Sequence, residues 1–283
     1  MTAISRWFGY IGEAFNHFFD DEGFALAGNM AFLGMLSFFP FLIFLVALSG
    51  LMGQTANGQE AIALILSNLP EEVAGTITGP INSIIRNTRG DVLTFSILFS
   101  LWTAASGVEA TRTAVLRAYK GVYNPSIWRR RLESLLIVIV AAALILLGMA
   151  LMVLGPMLID TLESLLPVPL PDKTQDLWAL FQYGVGPGAL FTALFGLYLT
   201  LSPRRERGPI CLPGSLLALA VWLLTAAGFS SYLRLVGGLN LTYGTLAGVV
   251  IAQIFFYIVS IGFILGAELN AAATRAIDSK GDD

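Results

Sequence analysis

Residues 235–267 read LVGGLNLTYGTLAGVVIAQIFFYIVSIGFILGA, a run of 33 residues without one Asp, Glu, Lys or Arg. A helix crosses a hydrocarbon core of about 30 Å with roughly 20 apolar residues, so this run can span a bilayer with turns to spare. Five more charge-free runs precede it, at 23–59, 92–108, 134–159, 177–203 and 208–233, of 37, 17, 26, 27 and 26 residues. Only the 17-residue run sits at the short limit. The pattern predicts six transmembrane helices, near 30–52, 92–110, 134–156, 179–201, 212–234 and 242–270. The expected fold class is therefore all-α, a polytopic membrane protein. A transmembrane β-barrel would instead show many alternating segments of about ten residues. Composition agrees: 12% of the 283 residues are charged and 56% apolar, with mean hydropathy +0.75, whereas soluble domains carry about 25% charge. That balance excludes a disordered chain, a coiled coil, a secreted disulfide scaffold and a nucleic-acid-binding module.

Orientation follows from the basic residues. With the N-terminus in the cytoplasm, Arg6, Arg112, Arg117, Lys120, Arg129, Arg130, Arg131, Arg204, Arg205, Arg207, Arg275 and Lys280 fall inside. Arg86, Arg89, Lys173 and Arg234 fall outside, a split of 12 to 4 that places both termini in the cytoplasm. Residues 1–22 hold one basic residue and four acids, which is not a secretory signal pattern. Within 3–22 an amphipathic interfacial helix is expected: Ile4, Trp7, Phe8, Ile11, Phe15, Phe18 and Phe19 recur at helical spacing, with Arg6, Glu13, His17 and Asp20 on another face. Packing of that helix on the cytoplasmic ends of the bundle is the alternative, and in either case Gly23 ends it. The outside loop 53–91 is expected to hold two short helices, the second starting at Asn68, and the Pro167, Pro169, Pro171 segment to be extended. The whole of 1–283 reads as one membrane domain, with a six-helix bundle over 30–270 and a short cytoplasmic tail at 271–283.

Residues for catalysis are scarce. The chain has one His, His17, and one Cys, Cys211, so neither a zinc framework nor an internal disulfide is available. No Walker A motif occurs. The glycine-rich Gly184-Val185-Gly186-Pro187-Gly188 opens a membrane helix without the strand and Lys of a phosphate loop. No enzyme activity, cofactor, metal or nucleic-acid partner is expected.

Polar groups inside the helices carry more information, because such groups need partners there. On the last helix, at about 100° per residue, Gly244, Gly248, Gly262 and Gly266 fall within about 40°, a small-residue seam with two GxxxG units. Tyr243, Gln253, Tyr257, Ser260 and Glu268 share a face elsewhere on it. On the second helix Ser96, Ser100, Thr103 and Gly107 form a small-residue face, and Trp102, Ser106 and Glu109 another. The first helix puts Asn29, Ser37 and Pro40 on one side, and Pro40 removes a backbone donor. Together with Asn270 these give a candidate cavity-lining or gating set: Asn29, Ser37, Pro40, Trp102, Glu109, Tyr243, Gln253, Tyr257, Glu268 and Asn270. Bonding between neighbouring helices is the alternative for all of them. Glu109 and Glu268 fall near the cytoplasmic interface, where capping or orienting the ends of their helices is expected of them rather than a proton relay, and Arg112 lies three residues from Glu109 as a local partner. The run Arg129, Arg130 and Arg131 is a topology signal and a candidate anionic-lipid headgroup site.

Several segments together resemble the YihY/BrkB family of bacterial inner-membrane proteins, once called ribonuclease BN. They are Gly23-Phe24-Ala25-Leu26-Ala27-Gly28, Ala31-Phe32, Ser37-Phe38-Phe39-Pro40, Leu101-Trp102 and Asn124-Pro125-Ser126-Ile127-Trp128-Arg129-Arg130-Arg131. Leu212-Pro213-Gly214, Trp222, Tyr232, Tyr243-Gly244-Thr245-Leu246-Ala247-Gly248 and Gly266-Ala267-Glu268-Leu269-Asn270 follow in order, so the resemblance covers about residues 5 to 275. The chain departs from the family pattern at Phe32-Leu33, where a tyrosine pair is common, and at Phe255-Phe256, near a usual tryptophan. The resemblance implies a multi-pass protein of the bacterial inner membrane linked to envelope integrity. The function expected is that of a transporter or flippase-like protein for lipids or other amphiphiles. The alternatives are a non-transporting scaffold or assembly factor for the envelope, and a proton- or ion-coupled channel. Membrane lipids are the expected partners, with a second copy of the chain or an envelope protein as further classes.

Overall fold

The computed structural model describes residues 3–52, 90–121, 126–165, 173–203, 208–236 and 244–281. These form seven helices and no strand: α1 (Ala3–Asp20), α2 (Gly23–Met52), α3 (Gly90–Ala118), α4 (Ile127–Leu165), α5 (Lys173–Leu201), α6 (Gly208–Val236) and α7 (Gly244–Gly281). Five of the six apolar segments expected from sequence lie inside α2 to α6, and residues 244–270 of the sixth lie in α7. Among the described residues, three stretches are long and apolar enough to cross a membrane, Ile127–Gly148, Ile210–Tyr232 and Gly248–Ile277. Shorter apolar stretches are Gly23–Phe38 and Gly186–Leu201. Residues 53–89 of the expected loop 53–91, the Pro167–Pro171 segment and Tyr243 lie outside the described residues, and residues 90–91 already belong to α3.

The helix ends follow from local chemistry. α1 ends at Asp20, ahead of the expected Gly23, which is instead the first residue of α2; between them Glu22 takes the left-handed conformation, at φ 56°. Gly23 is required because a Cβ there would overlap the ring of Phe18. The Glu22 carbonyl then accepts the amides of Ala25 and Leu26, at 2.9 and 3.1 Å, and starts α2. α3 ends in a Schellman arrangement. Gly121 N–H donates to the Leu116 carbonyl at 3.0 Å and Lys120 N–H to that of Arg117 at 2.9 Å, with Lys120 at φ 49°. α4 begins at a Ser126 cap, whose Oγ accepts the Arg129 amide at 3.4 Å. α2, α5 and α6 continue through Pro40, Pro187 and Pro213.

Two helices outrun the expected boundaries. α2 begins at Gly23 rather than residue 30. α7 runs to Gly281, so the expected tail from residue 271 is for the most part a continuation of the helix. The reason is visible in sequence: Ala271, Ala272 and Ala273 are the strongest helix formers, and nothing breaks the helix before Gly281. At 1.5 Å per residue, 38 residues extend about 57 Å, well beyond a hydrocarbon core.

By its internal packing the chain groups into two units: Met1–Leu36, Ser106–Leu132 and Leu190–Asp283, and Ser37–Ala105 with Glu133–Ala189. In the first unit α7 is the axis, and α1 and α6 pack against it. Residues 266–274 of α7 are all buried. Small side chains allow this close approach. A Cβ on Gly266 would strike the Tyr198 hydroxyl and the Gly214 backbone, and one on Gly262 would strike Val221. Gly248 of the expected glycine seam behaves differently, because no atom lies within 4 Å of such a Cβ there. Tyr198 stacks on Phe263 at 4.6 Å between ring centres and donates its hydroxyl to the Phe263 carbonyl at 2.7 Å. In the second unit Ser100, Ala104, Ala105, Ser134, Val138 and Ala142 are buried. Large apolar side chains point outward on the described helices, as at Phe32 and Leu36 on α2, Leu98 and Phe99 on α3, Leu136 and Leu144 on α4, Leu216 and Leu224 on α6, and Val250 and Ile254 on α7. An apolar exterior over buried positions rich in alanine and serine is the distribution a bilayer favours.

Candidate functional site

The C-terminal end of α3 carries a cluster of charged side chains among the described residues. Glu109 Oε2 accepts two hydrogen bonds from Arg130 of α4, at 2.6 Å from a terminal guanidinium nitrogen and 3.2 Å from Nε. Its Oε1 lies 3.4 Å from Arg112 Nε, one turn along α3. One carboxylate thus holds two guanidinium groups, a geometry suited to the planar fork of arginine. Beside it, Arg131 donates to Ser106 Oγ at 3.2 Å. The local pair with Arg112 is where sequence spacing put it, and the longer link to Arg130 is added by the fold.

This geometry divides the basic run. Arg130 and Arg131 are half-exposed and bonded to side chains of α3, and Arg129 is the exposed member. The three arginines expected as a headgroup site thus differ in exposure, with two of them held by α3. Ile127 and Trp128, each 79% exposed, accompany Arg129 on the outside.

A second cluster lies along residues 268–275 of α7. Glu268 is 1% exposed, and its Oε2 has no hydrogen-bond partner among the described residues. The charged groups whose fields reach it are Asp21, Arg275, Lys120 and Glu13. Arg275 Nε donates to Glu13 Oε1 at 2.9 Å, and a terminal nitrogen reaches the Ala118 carbonyl at 3.4 Å. His17 Nε2 is 3.8 Å from the same Glu13 oxygen. Asn270 is fully buried and accepts the Gly214 amide on Oδ1 at 2.8 Å. It therefore pins α6 to α7, in the helix-bonding role set against cavity lining.

The remaining expected residues scatter. Ser37 is buried and donates to the Thr103 carbonyl at 2.9 Å, joining α2 to α3. Pro40 and Gln253 are half-buried. Tyr257 packs on the apolar cluster of Phe18, Ala27, Ala114 and Ile264. Asn29 is exposed on the face of α2 that carries Phe32 and Leu36, and Trp102 is 49% exposed beside Leu98 and Phe99. Neither sits in an enclosed polar site. Sequence reasoning missed the Glu13–Arg275 pair and the Tyr198–Gly266 contact. Their partners lie 262 and 68 positions apart, and no local signal links them. Among the described residues no group of three or more His, Cys, Asp or Glu could hold a metal ion.

A family profile described as Virulence factor BrkB matches residues 14–283. The putative ribonuclease-like protein YfkH of Bacillus subtilis (strain 168) is 28% identical over 262 residues, which cover 93% of this chain and 94% of that protein. A UPF0761 membrane protein of Vibrio atlanticus (strain LGP32) is 33% identical over 82 residues, 29% of this chain and 26% of its own length. No solved structure matches.

Proposed function

The chain belongs to the BrkB family of membrane proteins, and from that premise we propose that it is a transporter or flippase-like protein for lipids or other amphiphiles. It would sit in the bacterial inner membrane, cross it six times and keep both termini in the cytoplasm. The observation that carries this reading is the Glu109 carboxylate held between Arg112 and Arg130. Two guanidinium forks converging on one carboxylate are the donor set that binds a phosphate or carboxylate headgroup. Glu109 occupies those forks as an internal anion, and displacing it frees them for a passing headgroup while acyl chains stay in lipid. No catalytic step is assigned, because one His and one Cys in the sequence do not supply a nucleophile, base and metal together.

The test is reconstitution into liposomes with fluorescent lipids of anionic and zwitterionic headgroup, followed by reduction of outer-leaflet label. Transbilayer movement above protein-free vesicles is expected, and Arg112→Gln should lower it for anionic headgroups. No movement of any lipid by protein shown to be folded would overturn the reading. One observation favours the second reading, an envelope scaffold: α7 is enclosed over residues 266–274, as in a fixed helix hub. A stoichiometric envelope partner that co-purifies, with no lipid movement, would select the scaffold. A channel centred on Glu109 and Glu268 is the third reading, and it fails if Gln at both positions leaves ion flux unchanged.

A further inference from the structure

α1 is an amphipathic helix with three environments rather than two. At about 100° per residue, the side chains directed at the protein are Tyr10, Glu13, Ala14, His17 and Phe18. Ala14 and Phe18 are buried, and Glu13 is tied to Arg275 at 2.9 Å. The exposed remainder divides cleanly. Gly9, Gly12, Asn16 and Asp20 are exposed and small or polar, and no atom lies within 4 Å of a Cβ placed on either glycine. Ile11, Phe15 and Phe19 are exposed and apolar, at 49%, 50% and 56%. They fall within an arc of about 80° at that helical spacing. The usual orientation of a helix on a globular surface is thus turned: polar Glu13 and His17 face the protein, and three large apolar residues face away from it.

We infer that α1 lies in the membrane plane, with the Ile11–Phe15–Phe19 edge seated in the headgroup–acyl boundary of the lipid and the Gly9–Asn16–Asp20 edge in water. The occupant is lipid because the apolar edge continues directly into an apolar helix surface. Phe15 and Phe19 lie 5.9 Å apart, and Phe19 and Phe24 5.6 Å, so the aromatic row passes across the turn onto α2, whose Phe24, Phe32 and Leu36 are also exposed. Three side chains in a narrow arc present far less than the roughly 1,200 Å² of a stable protein interface, but they suit insertion by about 5–10 Å at the headgroup boundary. Charge plays little part: residues 1–22 hold one basic residue against four acids, so attachment is apolar and independent of anionic lipid. The inference rests on the chain being a membrane protein and does not need transport, since a scaffold would seat α1 in the same way.

The experiment uses full-length protein carrying Cys211→Ala, with spin labels placed singly at Phe15→Cys, Phe19→Cys and Asn16→Cys, in zwitterionic and in anionic liposomes. Labels at 15 and 19 should collide more with oxygen than with a water-soluble nickel chelate, a ratio above unity. The label at 16 should show a ratio below unity. Both ratios should be unchanged by lipid charge. Labels at 15 and 19 as open to nickel as that at 16 would overturn the inference in favour of water. Labels occluded from both reagents would overturn it in favour of a second copy of the chain. Loss of the lipid signal in zwitterionic vesicles alone would overturn the apolar account of attachment. Since the substituted side chains are all exposed, either aromatic position suffices should the other variant fold poorly.

Discussion

Replacing Glu109 by Gln keeps its shape and removes its charge, and the effect divides unequally between its two arginines. Arg112 is the more buried, with 4% of its side chain exposed, but is the more distant at 3.4 Å. Arg130 is closer at 2.6 Å but 34% exposed. Coulomb attraction scales inversely with the product of dielectric and distance. The distance ratio favours Arg130 by a factor of only about 1.3, whereas effective dielectric falls several-fold between a wet and a buried site. Burial therefore decides, and Arg112 should be the stronger partner. Exposed pairs contribute about 0–1 kcal/mol and breaking a fully buried one costs about 3–5 kcal/mol. Coupling of about 0.5 kcal/mol is expected for Glu109 with Arg130, and about 1–2 kcal/mol for Glu109 with Arg112. Two double-mutant cycles read these terms, using Glu109→Gln with Arg112→Gln and with Arg130→Gln, and unfolding free energies from detergent titration of the purified protein. Stronger coupling to Arg130 than to Arg112 would refute the argument that burial outweighs distance. Coupling below about 0.3 kcal/mol in both cycles, within the usual additivity error, would refute the pairing itself.

Three further outcomes follow from the packing of α7. Gly266→Val should destabilise by about 1–3 kcal/mol or more through overpacking against Tyr198 and Gly214, whereas Gly248→Ala should be neutral to slightly stabilising by unfolding titration. Asn270→Ala should cost about 1–3 kcal/mol by leaving the buried Gly214 amide unpaired, read by the same titration; an unchanged midpoint would mean that the amide finds another acceptor. Arg275→Gln should change global stability by less than about 1 kcal/mol, because both partners are partly exposed. It should nonetheless speed amide hydrogen exchange in α1 relative to α6, since the guanidinium ties Glu13 of α1 to α7.

Much of the architecture is legible along the chain because membrane helices announce themselves in one dimension. Charge-free runs mark α2 to α7, and aromatic periodicity marks α1. The Glu109–Arg112 pair was equally legible, since three-residue spacing on a helix is a local property. The boundaries were harder to read. Nothing in hydropathy separates an apolar span from an alanine-rich extension of the same helix, so α7 outran its expected end. The expected site was legible only as residue types. Helical spacing grouped Trp102 with Glu109 and Asn29 with Ser37, yet Trp102 and Asn29 face outward while Ser37 is enclosed. A helical wheel gives relative angle and no absolute direction.

What the sequence determined by itself is the class of molecule, a helical membrane protein with an amphipathic first helix and sparse charge. That information is carried by composition and period, which each segment holds alone. The tertiary structure decided which way each face points. It placed Glu13 and His17 of α1 toward the protein and Phe15 and Phe19 away from it. It spread Arg129, Arg130 and Arg131 over two environments and made Asn270 a pin between α6 and α7. The physical reason is that burial and pairing depend on partners up to 262 positions away, and glycine contacts such as Gly214 on Gly266 exist only once two helices have met.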